Sequence, residues 1–420
     1  MRGLQGNLQT AGFHTEALLA PEQALTLFFS RAEFRPRRTE IIPIEDTPGR
    51  VLAQTIVADR DYPATARSAM DGFALRSEET PGTLELAGEI AMGEMWTEAL
   101  MPQHALRIPT GGALPRGADT VVPVEDAECD GNRVRIAQRA TAGDCVVPAG
   151  SDMHANETIL QPGRLLGAPE CGVLATLGIT RVPVYCKPVI AILSSGNELV
   201  DVAANLQPAQ VRDSNRWAIA AALAVMGASA RHYPIVRDEP EQLQHSLRTA
   251  IAQCDAVITS GGSSVGQLDL LPHSVDLLRP QVKVHGLRVK PGKPTLLASV
   301  DGKPLLGLPG NPVSALIILE TLGAPIVAQL TGAVVPSCGV EATLAEPIRK
   351  RIGWTHYVPV TLETSGGICT ARPLQMRSAW ASLLARASGF VTLSETTESL
   401  AAGETVTVTR FLQGGHDPGR

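Results

Sequence analysis

The chain has 420 residues, a formal net charge of −6 and an apolar fraction of 44 %, enough to build several cores, so more than one domain is expected. The acidic balance, the 4 % aromatic content and the absence of any basic run longer than RPRR at 35–38 argue against a nucleic-acid footprint. No apolar run offers the roughly 20 uninterrupted residues of a membrane span, and the start lacks the apolar core of a secretion leader, so a cytoplasmic location away from membranes is expected.

Seven scattered cysteines form no Cys-x-x-Cys pair and nine histidines no His-x-x-x-His pair. Buried free thiols are therefore expected, rather than disulfides or a zinc site.

In chain order, PEQALTLFFS from Pro21 repeats apolar positions at helical spacing with proline in its first turn, which predicts a helix. EIIPI and the apolar run after Asp46-Thr-Pro-Gly-Arg follow as pieces of one small layer. DRDYPATARSAMDGFAL then reads as a polar loop feeding a strand, in which Asp59, Asp61 and Asp71 look like turn acids. LELAGEIAM, ALRIPTG, DTVVPVED and NRVRIAQ predict the strands of a compact β-domain. After Pro148 the chain returns to a short strand and a helix rich in Ala, Leu and Gly, as if the β-domain were inserted into a helical one.

From Pro188 strand and helix alternate. VIAILSSG predicts a buried strand, and RDSNRWAIAAALAVMGA a helix capped by Ser214 or Asn215 and ended by Gly227. ARHYPIVRDEP, PEQLQHSLRTAIAQ, CDAVITSGG and NPVSALIILETLGAPIVAQLTG continue the alternation, the pattern of a parallel sheet covered on both faces. Beyond about Val334, CGVEATLAEPI, THYVPVTLET and ETVTVTRFL predict a small β-barrel or sandwich.

In such a doubly wound sheet, ligands collect beyond the C-terminal ends of the strands. SSGNEL (194–199), Asp213-Ser214, Arg237-Asp238 and TSGGSSVGQLD all fall there. Singly, each has a plain structural explanation as a cap, a turn or a tight loop. Jointly they point to an anion site. The backbone amides of Gly261, Gly262, Ser263 and Ser264 can surround a phosphate. Lys290 and Lys293, in KPGKP, supply positive charge, and Glu198, Asp238 and Asp269 can hold a magnesium ion that bridges to the anion.

The strings SAMDGFA, PTGGALPRGADTVV, SSGNEL, RDSN, TSGGSSVG, KPGKP and GLPGNPVSA, in this order and spacing, resemble the MoeA and gephyrin E-domain family, the molybdopterin molybdotransferases. The resemblance covers nearly all of the chain after about residue 15. It implies a multidomain α/β plus β protein in four parts: a discontinuous mixed helical domain (15–58 and 149–186), an inserted β-rich domain (59–148), a central MogA-like, doubly wound α/β domain (187–333) and a C-terminal β-barrel (334–413). It further implies a homodimer, with the active cleft shared between the central domain of one chain and the β-domain of its partner. The implied reaction takes molybdate and adenylylated molybdopterin, depends on Mg2+ and releases AMP. The molybdopterin adenylyltransferase and acceptor molybdoenzymes are the implied protein partners.

Residue by residue, the resemblance gives Asp59, Thr110 and Asp144 the partner-side positions and Glu198, Asp238 and Asp269 the metal-related ones. Lys290, Lys293 and Ser314 face the molybdate or phosphate, Pro294, Pro309 and Pro312 shape the surrounding loops, and Ser378 joins the substrate contacts. Four positions depart from the family pattern: Asn197, Gly286, Trp354 and Arg377. A noncatalytic pterin- or nucleotide-binding scaffold and a tungsten-inserting paralogue are the alternatives.

Overall fold

A computed structural model describes residues 18–261, 270–334, 339–375 and 379–411. The chain forms two compact units, one from Met1–Ala53, Pro162–Cys171 and Thr180–Arg420, the other from Gln54–Gln161 and Gly172–Ile179.

The first unit is built on a six-stranded sheet. Its elements are β1 (Val189–Ser194), α1 (Asn215–Val225), β2 (Ser229–His232), α2 (Pro240–Gln253), β3 (Ala256–Ser260), α3 (Leu270–Asp276), β4 (Val282–His285), β5 (Leu296–Val300), β6 (Lys303–Leu308) and α4 (Pro312–Ile318). The strand order is β2-β1-β3-β6-β5-β4. The first four strands run parallel, whereas β5 and β4 are antiparallel to their neighbours. This edge differs from the purely parallel expectation for a local reason. β5 and β6 are joined by Asp301-Gly302, both at positive φ (51° and 71°), the conformation of a two-residue hairpin turn.

Alternation along the strands sorts the core to two sides. Ile190 and Ile192 of β1 pack with Ile219 and Leu223 of α1 and Val313 and Ile317 of α4. The intervening Ala191 and Leu193 pack with Leu243 and Leu247 of α2 and Leu271 of α3. In α2 the buried positions Leu243, Leu247, Ala250 and Ile251 follow the helical repeat, with proline at the first turn. The helix Pro21–Arg31 buries Ala24 and Phe28 in the same core as Ile190.

α1 begins where expected. Ser214 stands at the N-cap, as expected, but its side chain makes no capping bond; Asp213 Oδ1 supplies one instead by accepting the Arg216 N–H (3.2 Å). Gly227 closes it at φ 81°, as expected. α4 continues through a π-helical turn, Leu319–Gly323, into Ala324–Thr331. Helix therefore runs unbroken across the Gly and Pro of this string, as one further helix was expected to. Among the described residues Pro312–Thr331 is long and apolar enough to cross a membrane by length and composition, but Ile317, Leu319, Leu322 and Val327 lie in the core beside the sheet.

Toward the C-terminus, Gly339–Leu344, Thr355–Ser365, Ile368–Pro373, Gly389–Leu393 and Thr405–Arg410 form a closed five-stranded barrel, shut by pairing of Thr355–Ser365 with Gly389–Leu393. Val360, Ala371, Val391 and Val408 fill it. The short strand Val289–Lys290 adds to it in parallel, setting Lys290 opposite His356.

The second unit carries another six-stranded sheet, in the order Thr120–Pro123, Gly72–Leu75, His104–Ile108, Gly82–Glu89, Arg133–Ile136 and Ala127–Asp130. Phe73, Leu84, Val122 and Val134 form one of its cores. Six cysteines are free among the described residues, but only Cys254 is buried and Cys129 is exposed, so the thiols are not uniformly core residues.

Candidate active site

A cleft of about 860 Å³ opens at the C-terminal ends of β1, β3 and β6. Its floor is backbone. Ser195 N–H donates to Ser260 O (3.0 Å) and Gly261 N–H to Leu308 O (3.3 Å), drawing the three strand ends together. Gly261 sits at φ 90°, and a Cβ there would lie 2.2 Å from Ser195 O, so the close approach requires glycine. The same geometry corrects one expectation: the Gly261 amide is already paired with Leu308 and is not turned to an anion. Gly310 comes beside Gly261 on the neighbouring turn.

One wall carries the acids. Asp238 accepts the Ser195 hydroxyl (3.1 Å) and the Asn197 N–H (3.3 Å), while Asn197 Oδ1 accepts the Asp238 N–H (3.2 Å). This reciprocal clasp fixes the Asp238 carboxylate. Glu198 folds its carboxylate over Gly196, where any Cβ would come within 2.6 Å of it. Both acids line the cleft.

The N-terminus of α1 forms an adjacent wall. Asp213 and Arg216 are a buried ion pair at 3.0 Å, with side chains 4 % and 11 % exposed. Arg216 Nη2 also donates to Tyr233 O (2.7 Å). Between them, buried Asn215 donates through Nδ2 to Ser260 Oγ (2.7 Å) and Gly310 O (2.8 Å). Sequence reasoning treated Asn215 only as a cap and passed over Ser195 and Ser260; the signal was their place in RDSN, SSGNEL and TSGG.

The KPGKP turn reaches the cleft through Pro294. Gly292, at φ 113°, leaves no room for a Cβ, which would lie 2.3 Å from Ile318 Cδ1. Lys290 is exposed, and the ammonium of half-buried Lys293 stands 5.9 Å from the centroid of the Trp354 ring, at the edge of cation–π range. Lys350 Nζ donates to Trp354 O (2.7 Å). Next to them both ring nitrogens of His356 are buried without hydrogen-bond partners. Burial, then the charges of Lys290 and Lys350, push this imidazole down to about 4, so it is neutral near pH 7.

Of the expected site residues, Glu198, Asp238, Gly261, Pro294, Pro309 and Pro312 line the cleft. Lys290 and Lys293 stand on the turn that carries Pro294, outside that lining, and Ser314 is buried in α4 at 4 % exposure. Gly262, Ser263, Ser264, Asp269 and Ser378 lie outside the described residues. Among the described residues no three His, Cys, Asp or Glu side chains form a metal-sized cluster.

In the second unit, Thr110 donates through both its N–H (2.6 Å) and its hydroxyl (2.9 Å) to Asp71 Oδ1. These bonds hold the Asp71 carboxyl below its ordinary range. Read from sequence as a turn acid, Asp71 is thus the anchor of Thr110. Asp144 accepts the Thr141 N–H (2.7 Å) within its own turn. The pairs Ala69 N–Cys145 O and Gly111 N–Ser68 O, both 2.8 Å, draw these three turns together. Asp59 instead pairs with Arg60 (2.8 Å) and accepts the Tyr62 hydroxyl (2.7 Å), interactions that lower its pKa.

Residues 19–178 match the MoeA N-terminal region (domain I and II), 191–329 a probable molybdopterin binding domain and 341–411 the MoeA C-terminal region (domain IV). A molybdopterin molybdenumtransferase of Bacillus subtilis (strain 168) is 32 % identical over 383 residues, covering 88 % of this chain and 89 % of that protein. The chain belongs to the MoeA family. Another relative so named, from Nostoc sp. (strain PCC 7120 / SAG 25.82 / UTEX 2576), is 36 % identical over 304 residues and 70 % of each chain. The solved molybdopterin biosynthesis MoeA protein from Pyrococcus horikosii superposes with a TM-score of 0.77 at 32 % identity, covering 94 % of this chain and 99 % of its own. Within this MoeA-family chain, the cleft joins two oriented carboxylates to a glycine-lined floor, an arrangement suited to a phosphorylated ligand and a hard cation.

Proposed function

We propose that the chain is a molybdopterin molybdenumtransferase that transfers molybdate onto adenylylated molybdopterin and releases AMP in molybdenum cofactor biosynthesis. The observation that carries the reading is the meeting of Glu198 and Asp238 with the glycine-lined strand ends in one cleft, beside the KPGKP turn. The glycines let a phosphate approach the backbone closely. Clasped by Ser195 and Asn197, Asp238 keeps one orientation while the ligand changes charge.

The donor set fits magnesium, a hard cation that commonly uses one or two carboxylates together with substrate phosphates. Glu198 and Asp238 would hold it, with Asp269 assigned by the family pattern. When bound, magnesium supplies charge neutralisation to the departing phosphate. Lys290 and Lys293 attract the molybdate dianion, and Trp354 orients the second of them. The reacting sulfurs and oxygens belong to the substrates, so no protein nucleophile is required. The reading keeps Gly262, Ser263, Ser264, Ser314 and Ser378 as substrate contacts. It also keeps Asp59, Thr110 and Asp144 as residues brought to the cleft by a second copy of the chain in a homodimer. We place the reaction in the cytoplasm, upstream of acceptor molybdoenzymes and next to the molybdopterin adenylyltransferase.

Purified protein with adenylylated molybdopterin, molybdate and magnesium is expected to release AMP and yield the metallated pterin. Asp238→Ala and Lys290→Ala are each expected to slow AMP release by on the order of 100-fold. Normal turnover in both would sink the site assignment, and tight binding without AMP release would make the chain a scaffold. Competition by tungstate in the same assay tests the choice of oxyanion.

A further inference from the structure

We propose that Ser260 is a further substrate-binding residue, and that Asn215 is the positioning residue that turns the Ser260 hydroxyl into a donor facing the cleft. The choice of ligand rests on the molybdenumtransferase reading. The orientation of the hydroxyl rests on geometry alone.

Asn215 Nδ2 lies 2.8 Å from Gly310 O and 2.7 Å from Ser260 Oγ. A carbonyl oxygen only accepts, so the atom facing Gly310 is the amide NH2, and its two hydrogens serve the two contacts. That nitrogen offers no lone pair, so Ser260 cannot donate back to it. With one lone pair filled, the hydroxyl must send its own hydrogen elsewhere. Among the described residues it meets no acceptor, and Ser260 lines the cleft. The hydrogen is therefore presented to whatever acceptor enters.

The surroundings make this donor count. Of the backbone amides at this point, Ser195 N–H is taken by Ser260 O and Gly261 N–H by Leu308 O. With these two amides taken, the Ser260 hydroxyl is, among the described residues, an open donor where the three strand ends meet. Asn215 is held in place by its burial and by its bond to Gly310 O (2.8 Å). An anionic phosphate ester, rich in acceptors, is the chemistry such a hydroxyl selects.

The test is equilibrium binding of adenylylated molybdopterin in the absence of molybdate, with urea unfolding run on every variant. Ser260→Ala is expected to raise Kd about 10–100-fold, the range for one hydrogen bond to a charged group. Asn215→Ala is expected to do the same in the wild-type background and to add less than twofold in the Ser260→Ala background, because it acts through that hydroxyl. The proposal is overturned if Ser260→Ala binds within twofold of wild type, or if Asn215→Ala keeps its full effect without Ser260, which marks a purely structural role. Should Asn215→Ala fail to fold, Ser260→Ala alone decides. Absence of binding by the wild-type chain would overturn the underlying functional reading instead.

Discussion

At the scale of single residues, the cleft depends on charges that are buried and already paired. Arg216 is the sole ion-pair partner that the described residues give to Asp213, and both are nearly solvent-free. Arg216→Ala leaves Asp213 buried and uncompensated, and should lower stability by about 3–5 kcal/mol in urea unfolding. His356 makes a second, pH-dependent case. Its pKa falls from 6.5 in the unfolded chain to about 4 in the fold, chiefly through burial and then through Lys290 and Lys350. The stability it contributes is complete above pH 6.5 and is lost as pH falls toward 4, because the unfolded chain takes up the proton first. With the ring partly exposed, a loss of about 2 kcal/mol is expected between pH 7 and pH 4, and His356→Leu should flatten that part of the profile. Neither residue was legible in the sequence as important. A histidine in a β-alternating run, or an arginine after RDSN, shows its neighbours only once distant strands meet.

At the scale of elements, the sequence was most informative where local physics decides alone. α2 was expected over PEQLQHSLRTAIAQ and occupies Pro240–Gln253, since both its proline start and its apolar spacing are local signals. β4, β5 and β6 were not separated in the sequence, although Asp301-Gly302 is a strong hairpin signal. Turns that depend on tertiary approach were legible only as glycines. Gly292→Ala places a Cβ against Ile318 at positive φ and should lower stability by roughly 2–4 kcal/mol, measurable as a lower urea midpoint with unchanged slope. Gly261→Ala meets a carbonyl oxygen rather than a side chain. There the strand end must shift, so weakened binding of adenylylated molybdopterin is expected along with lower stability, and wild-type affinity would show that the cleft floor tolerates the shift.

At the scale of the whole molecule, ordered motifs spaced along the chain carried both the family resemblance and the expectation of an anion site at the strand ends, while the partners that fix each side chain there came only with strands far apart in sequence ending side by side. Glu198, Asp238 and Gly310 come to one cleft because β1, which leads to Glu198, pairs in parallel with β2, which leads to Asp238, and with β3, which pairs in turn with β6 ahead of Gly310. We retain the four-part division, with boundaries near 58, 148, 186 and 333, as a proposal. Limited proteolysis that cuts first inside the barrel rather than near these positions would count against it. The homodimer is likewise proposed, and light scattering should return twice the mass of one chain at micromolar concentration.

The two kinds of sheet in the first unit have different exposure to self-association. The barrel is closed, so its strands present no unpaired rim to another molecule. The open sheet ends at β2, which has only four residues and carries exposed Arg231 and His232. Brevity and charge on that rim act as a guard against edge-to-edge stacking into aggregates. Replacing Arg231 and His232 together by valine should leave the cleft intact yet make concentrated solutions turn cloudy on standing, with a rise in β-rich light-scattering material that the parent chain does not form.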